Sequence, residues 1–287
     1  MSPAASTDDP VGRVRAQLLV PGHPLALTLP YAPARSRDAI VALHALIAEI
    51  ASVPGGVSDA DVARRKLGWW REALEQRLPH PAIQAWQASG AAERAPAEAF
   101  EPLMRAVESE IEPPRFERLE SFIEHCRRVA GPAVLLEAGL VDPAFDPASV
   151  AGDAMAAMAG AGYRVRIVRD LVIDARQHRW LVPLDAQAEH RITRGEVAAG
   201  EGGLRLRALV RDLAGRAVLD IEGGVADVPS ALRWRHRHAL LRLHLDARLG
   251  RRLVRRPGRV AHERVAPGRL ADAAALWRFA RRLRRTA

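Results

Sequence analysis

The sequence predicts an all-α fold, a single bundle of about eight helices, and three observations predict it. Apolar residues recur at steps of three and four through most of the 287 residues. No segment alternates with the period of two that marks a half-buried strand. The joints between periodic stretches, at 54–58, 141–147 and 222–230, are short and rich in proline and glycine, as turns between packed helices are.

Residues 1–24 are small, polar or proline-rich with weak periodicity and read as a partly ordered leader, which leaves 25–287 as one helical domain. The first helix follows from Ile40, Leu43, Ile47 and Ile50, one stripe of a helix over 36–52 that Pro54, Gly55 and Gly56 end. Asp59 and Asp61 suit the start of a second helix, with Val62, Trp69, Ala73 and Leu74 as its apolar face and Pro79 beyond its end. Phe100, Leu103, Val107 and Ile111 mark a third. Phe116, Leu119, Phe122, Ile123, Cys126 and Val129 mark a fourth, stopping before Gly131 and Pro132. Helical periodicity returns over 148–176, 203–222, 230–255 and 269–285. Trp180 to Pro183 is the one short extended candidate. Ala151 to Gly162 is mostly Ala, Gly and Met, so another helix can come close to it or a groove can open beside it.

Composition narrows the function classes. A 48% apolar share supports a large core, and a formal charge of +9 turns attention to acidic partners: nucleic acid, anionic lipid or a diphosphate. Lys66 is the only lysine among 43 basic side chains, an arginine bias better attributed to GC-rich coding than to recognition. Cys126 is the only cysteine, which excludes an intrachain disulfide and any multi-cysteine zinc site and suits a cytoplasmic compartment. The start, with Asp8 and Asp9, lacks a basic-then-apolar signal pattern, and Pro21, Gly22 and Pro24 break the apolar run from Leu18 to Leu29. Arg251, Arg252, Arg255 and Arg256, then Arg281, Arg282, Arg284 and Arg285, alternate with Leu249, Leu253, Trp277, Phe279 and Leu283. A solvated amphipathic helix or peripheral contact with an anionic inner-membrane surface accounts for this pattern. Nucleic acid is the weaker partner, since no recognised binding motif accompanies the charge. No histidine pair has metal-ligand spacing, and His236, His238 and His244 read as surface residues.

The most informative run is Arg169-Asp170-Leu171-Val172-Ile173-Asp174-Ala175-Arg176-Gln177-His178-Arg179. Asp170 and Asp174 are four apart on a helix and can share a hard cation, while the arginines around them suit phosphate oxygens. Acids at this spacing among arginines equally describe an ion-paired helix face.

The stretch RDLVIDARQHRWLVP, Arg169 to Pro183, resembles the second aspartate-rich signature of the squalene/phytoene synthase superfamily. Leu29-Pro30, Arg37 and Ala42-Leu43-His44-Ala45-Leu46 resemble that family's opening helix. Lys66 to Leu74 with His80-Pro81 resemble its second helix, and His125 to Gly131 stand at another family signature. The resemblance covers about residues 25–250 in order. It implies an isoprenoid-synthase-like bundle around a central cavity and Mg²⁺-dependent head-to-head condensation of prenyl diphosphates, with Asp170 and Asp174 as metal ligands and Arg37, Arg169 and Arg179 holding diphosphate. Metal clamps matter in such chemistry because an allylic C–O bond ionises only when the departing charge is stabilised.

This sequence departs from the family pattern at the first aspartate-rich motif, where the resemblance places Ala51, Ser52 and Gly55 instead of three aspartates. Ala48 stands at a phosphate-binding arginine position, Arg127 at a cavity tyrosine, and Tyr163, Val165 and Arg166 replace glutamine, threonine and asparagine. The neighbourhood of Glu49 and Trp69-Trp70-Arg71 is similar to a divergent branch that includes a respiratory-complex assembly factor. Two functions follow from the resemblance: an isoprenoid-binding shell degenerate as a catalyst, serving assembly or scaffolding at the membrane, or an active Mg²⁺-dependent head-to-head prenyltransferase.

Overall fold

The structure, a computed structural model, describes residues 9–266 and 268–286. Of the leader, residues 1–8, Asp8 included, lie outside the described residues, and the rest is helical in part: α1 (Pro10–Leu18) is capped by the Asp9 carboxylate and buries Val11 and Val14. Then come α2 (Pro24–Thr28), α3 (Arg37–Ala51), the single turn α4 (Val53–Gly56), α5 (Ala60–Gln76), α6 (Pro81–Ala88) and α7 (Glu101–Glu108). Two long helices follow, α8 (Leu119–Val141) and α9 (Val150–Arg176). After the short α10 (Leu184–Glu189) and α11 (Arg194–Ala199) come α12 (Gly203–Asp227), α13 (Ser230–Arg233), α14 (Arg237–Arg255) and α15 (Arg269–Arg285). Among the described residues there is no strand, and no helix is long and apolar enough to cross a membrane.

The helices expected over 36–52 and 148–176 form as α3 and α9. Asp59 caps α5 as its chemistry predicts, accepting from the amides of Asp61 and Val62 at 2.8 and 2.9 Å. The buried face of α5 matches the expected one only in part: Ala73 and Leu74 are buried, together with Leu67 and Trp70, while Val62 and Trp69 are exposed. The fourth helix does not stop at Pro132. It runs on to Val141, because the ~3 kcal/mol cost of an interior proline is smaller than the gain from burying Val134, Ala138, Leu140 and Val141, at ~1.5–3 kcal/mol for each large side chain. Trp180 to Pro183 is non-helical but unpaired as a strand, and the next residues, Leu184 and Asp185, donate their amides to the carbonyls of Phe116 and Glu117.

Two large hydrophobic cores organise the bundle, with a smaller cluster of Phe116, Phe122, Cys126, Ile167 and Leu181 beside them. One gathers α1 to α7, the other α9 to α15, and α8 serves both, giving Leu140 and Val141 to the first and Val134 and Ala138 to the second. The small residues of α9 bring it against α8. A Cβ on Gly160 would stand 2.7 Å from the backbone of Arg127, and one on Gly131 would stand 3.0 Å from the Ala156 Cβ. This pairing runs the two helices antiparallel and fixes them at the seam between the cores.

Candidate ligand cavity

A cavity of about 610 Å³ opens at that seam, bounded by α2, α3, α4, α7, α8, α9 and α14. Its volume lies within the usual range for a small-molecule site. Helix α3 turns His44, Ile47 and Ala51 towards it at near-helical spacing, its C-cap Ser52 follows, and α9 contributes Ala159, Tyr163 and Arg166. The small residues of α8, Ala130 and Ala133, leave the space open. Most other lining groups are apolar, among them Leu25, Leu103, Val107, Val134 and Leu243.

Apart from His23 and Ser52, the polar side chains that line it belong to three clusters. In the first, the buried Glu137 of α8 accepts from His44 at 2.9 Å, from His238 at 2.6 Å and from Arg242 at 3.1 Å, and Arg242 also meets the His44 ring. Thr28 lies 3.2 Å from the far nitrogen of His238 and donates to the Pro24 carbonyl. Burial opposes charge on Glu137, but His238 and Arg242 beside it hold its carboxyl well below the usual range. Burial, with Arg242 adding to it, pushes His44 down to about 4, so its ring is neutral at pH 7.

In the second cluster, Glu110 accepts from His125 at 2.7 Å and from the Tyr163 hydroxyl at 2.5 Å, and Arg179 donates both to Glu110 and to the Tyr163 oxygen, the latter at 2.9 Å. Burial works against charge on Glu110, yet the His125 hydrogen bond and the Arg179 charge lower its pKa. In the third, Arg166 donates to Asp246 of α14 at 2.6 Å. Gly162 makes room for that carboxylate, since a Cβ there would meet the Asp246 Oδ2 at 2.4 Å.

The residues singled out in the sequence fall into two groups. Ala51, Ser52, Gly55 and Arg179 line the cavity; Arg37, Arg169, Asp170 and Asp174 do not. Arg37 anchors the start of α3 by donating to the carbonyls of Pro30 and Ala32 at 2.7 and 3.2 Å. Asp170 is clasped by two guanidiniums. Arg264 donates to both its oxygens at 2.8 and 3.0 Å, and Arg169 donates to both at 2.9 and 2.5 Å. Burial opposes its charge, but Arg264 and Arg169 keep its pKa low. Asp174 behaves oppositely: burial, with Asp170 and Glu110 nearby, pushes it up to about 6 despite Arg179.

A cation between Asp170 and Asp174 would have to displace the two guanidiniums that clasp Asp170, and the cavity wall of Ala51, Ser52 and Gly55 offers no carboxylate. The residues present do not fit a family-type Mg²⁺ cluster. The described group with ligand atoms closest to metal spacing is Glu189, His190 and Asp212, none of which lines the cavity.

Sequence reasoning missed Glu137, Glu110, Asp246 and Arg264. Each acts across a long sequence separation, such as the 94 residues between Arg264 and Asp170, and so leaves no local spacing signal. His236 and His238, expected on the surface, are buried, the latter because Glu137 and Thr28 supply polar partners for its ring. His244 is half-buried and stacks on Phe279 with ring centroids 4.3 Å apart. Arg127, expected at the place of a family cavity tyrosine, pairs with Asp153 at the surface.

The helical shell, the central cavity and the position of the aspartate-bearing helix together define an isoprenoid-synthase fold. The chain belongs to the squalene/phytoene synthase family, whose model matches residues 21–271. Among solved structures, a dehydrosqualene synthase in complex with ligand is similar with a TM-score of 0.75 at 15% identity, over 97% of each chain. The squalene synthase HpnC from Alicyclobacillus acidocaldarius is similar with a TM-score of 0.64 at 17% identity, over 87% of this chain and 94% of its own. YisP from Bacillus subtilis subsp. subtilis strain 168 gives 0.64 at 14% identity, over 95% and 99%. No curated protein matches the sequence. At these identities the likeness is one of fold.

Proposed function

We propose that this protein is an isoprenoid-binding shell of the squalene/phytoene synthase fold that does not carry out metal-assisted head-to-head condensation. One observation carries the reading: the cavity is retained while both places for a metal cluster are altered, one wall being Ala51, Ser52 and Gly55 and the surviving Asp170 being clasped by Arg169 and Arg264. Ionising a prenyl diphosphate needs preorganised positive charge at the leaving group, and a wall without carboxylates cannot assemble it through metal ions. A carrier or scaffold needs only the apolar cavity and its rigid frame. Peripheral membrane contact fits the same role and is supported by α15, which leaves Leu270 and Trp277 exposed and sets Arg281 over the Trp277 ring at 4.7 Å.

Equilibrium binding of a fluorescent farnesyl-chain probe tests this. Saturable binding should be unchanged by Mg²⁺ or by a chelator, and Ala133→Phe, which fills the cavity, should weaken it about tenfold or more while the melting temperature confirms a folded protein. Binding that appears only with Mg²⁺, or that ignores a filled cavity, would rule the reading out.

A further inference from the structure

Every guanidinium that lines the cavity is already neutralised from within the protein. Arg166 is paired with Asp246, Arg179 with Glu110, and Arg242 with Glu137, so three lining cations face three carboxylates. The remaining polar lining groups are also engaged: Tyr163 with Glu110, His44 with Glu137, Ser52, whose hydroxyl donates to the Glu49 carbonyl at 2.7 Å, and His23, whose Nδ1 accepts from the Leu25 amide at 3.3 Å. Glu110 and Glu137 are both held as carboxylates and His44 as the neutral ring, so the balance holds at pH 7.

From this charge balance, and resting on the isoprenoid-shell reading above, we infer that the cavity selects an isoprenoid with an uncharged polar end, an alcohol, over the corresponding diphosphate. A diphosphate brings several negative charges out of water. To be held there it must pull a guanidinium away from its carboxylate, and that carboxylate is then stranded without a partner in a partly apolar cavity. The Ala51, Ser52 and Gly55 wall offers no carboxylate through which metal ions could offset the excess charge. A hydroxyl asks for much less, one acceptor and one donor. The second lone pairs of Asp246 or Glu110 and the remaining N–H groups of Arg166 or Arg179 can supply both without breaking an ion pair.

The inference makes the compensating carboxylates specificity determinants. Asp246→Asn removes the counter-charge of Arg166 and should turn a neutral subsite into a cationic one. Glu110→Gln should do the same for Arg179, but Glu110 also holds His125 and Tyr163 and its loss endangers folding. Asp246 is the more exposed partner and has no such duty, so its variant decides the matter if Glu110→Gln does not fold.

The experiment is displacement of the fluorescent farnesyl probe from the full chain by farnesol, farnesyl diphosphate and inorganic pyrophosphate, each with and without Mg²⁺. Farnesol should bind about tenfold more tightly than farnesyl diphosphate in either condition, and pyrophosphate should not compete. Asp246→Asn should raise farnesyl diphosphate affinity about tenfold while changing farnesol affinity by no more than about twofold. Tighter binding of the diphosphate by the unaltered chain, or no gain in Asp246→Asn, overturns the head-group assignment and leaves the shell reading standing. Failure of both lipids to displace the probe overturns both.

Discussion

At the residue scale, Asp174 and His44 are held on opposite sides of their ordinary behaviour. Asp174, pushed up to about 6, binds its proton more tightly folded than unfolded, so it adds stability at low pH that is lost as pH rises from 3.8 through about 6. His44 and His244, both pushed down to about 4, work the other way: the unfolded rings take up protons first, and stability is lost as pH falls from 6.5 towards 4. Two histidines against one aspartate predict a melting temperature that falls between pH 7 and pH 5. Asp174→Asn should stabilise the protein at pH 7.5 by ~1–2 kcal/mol, the full shift being discounted for partial exposure, and should make that fall steeper. Thermal unfolding across pH measures both effects, and an Asp174→Asn protein that is less stable at pH 7.5 would mean that the carboxylate is engaged as an anion after all.

At the scale of elements, the seam between α8 and α9 determines whether a cavity exists. Gly160→Ala forces a methyl against the backbone of Arg127 and should cost ~1–3 kcal/mol, read as a drop of several degrees in melting temperature. Gly68→Ala on the exposed face of α5 meets nothing within 4 Å and should instead stabilise by ~0.5–1 kcal/mol, which makes it the control. Equal losses in the two variants would mean that helix packing at Gly160 is not close. Most of these elements were legible in the sequence because helical periodicity is a local signal: α3, α9 and α15 start and stop within a few residues of their expected bounds. Pro132 and the exposure of Val62 and Trp69 on α5 were misread because tertiary burial overrides local preference, and no window of sequence contains the partners that do so.

At the scale of the whole molecule, the bundle and its family could be read from residues 25–250, because the motifs that carry the resemblance are local runs of sequence. The self-neutralised polar end could not be, because it is assembled from α8, α9, α14 and the segments that follow α7 and α9, by pairs such as Arg166 with Asp246, 80 residues apart. The arginine-rich face of α15 predicts sedimentation with vesicles containing anionic phospholipid, weakened by salt and by Trp277→Ala. Equal binding to neutral vesicles would contradict an electrostatic contact. The central claim, a retained cavity without metal-assisted condensation, meets its most direct test in one assay: purified protein, Mg²⁺ and farnesyl or geranylgeranyl diphosphate, with released pyrophosphate and long-chain hydrocarbon measured together. The account predicts neither product above a heat-denatured control, and steady Mg²⁺-dependent release of pyrophosphate with head-to-head hydrocarbon would contradict it.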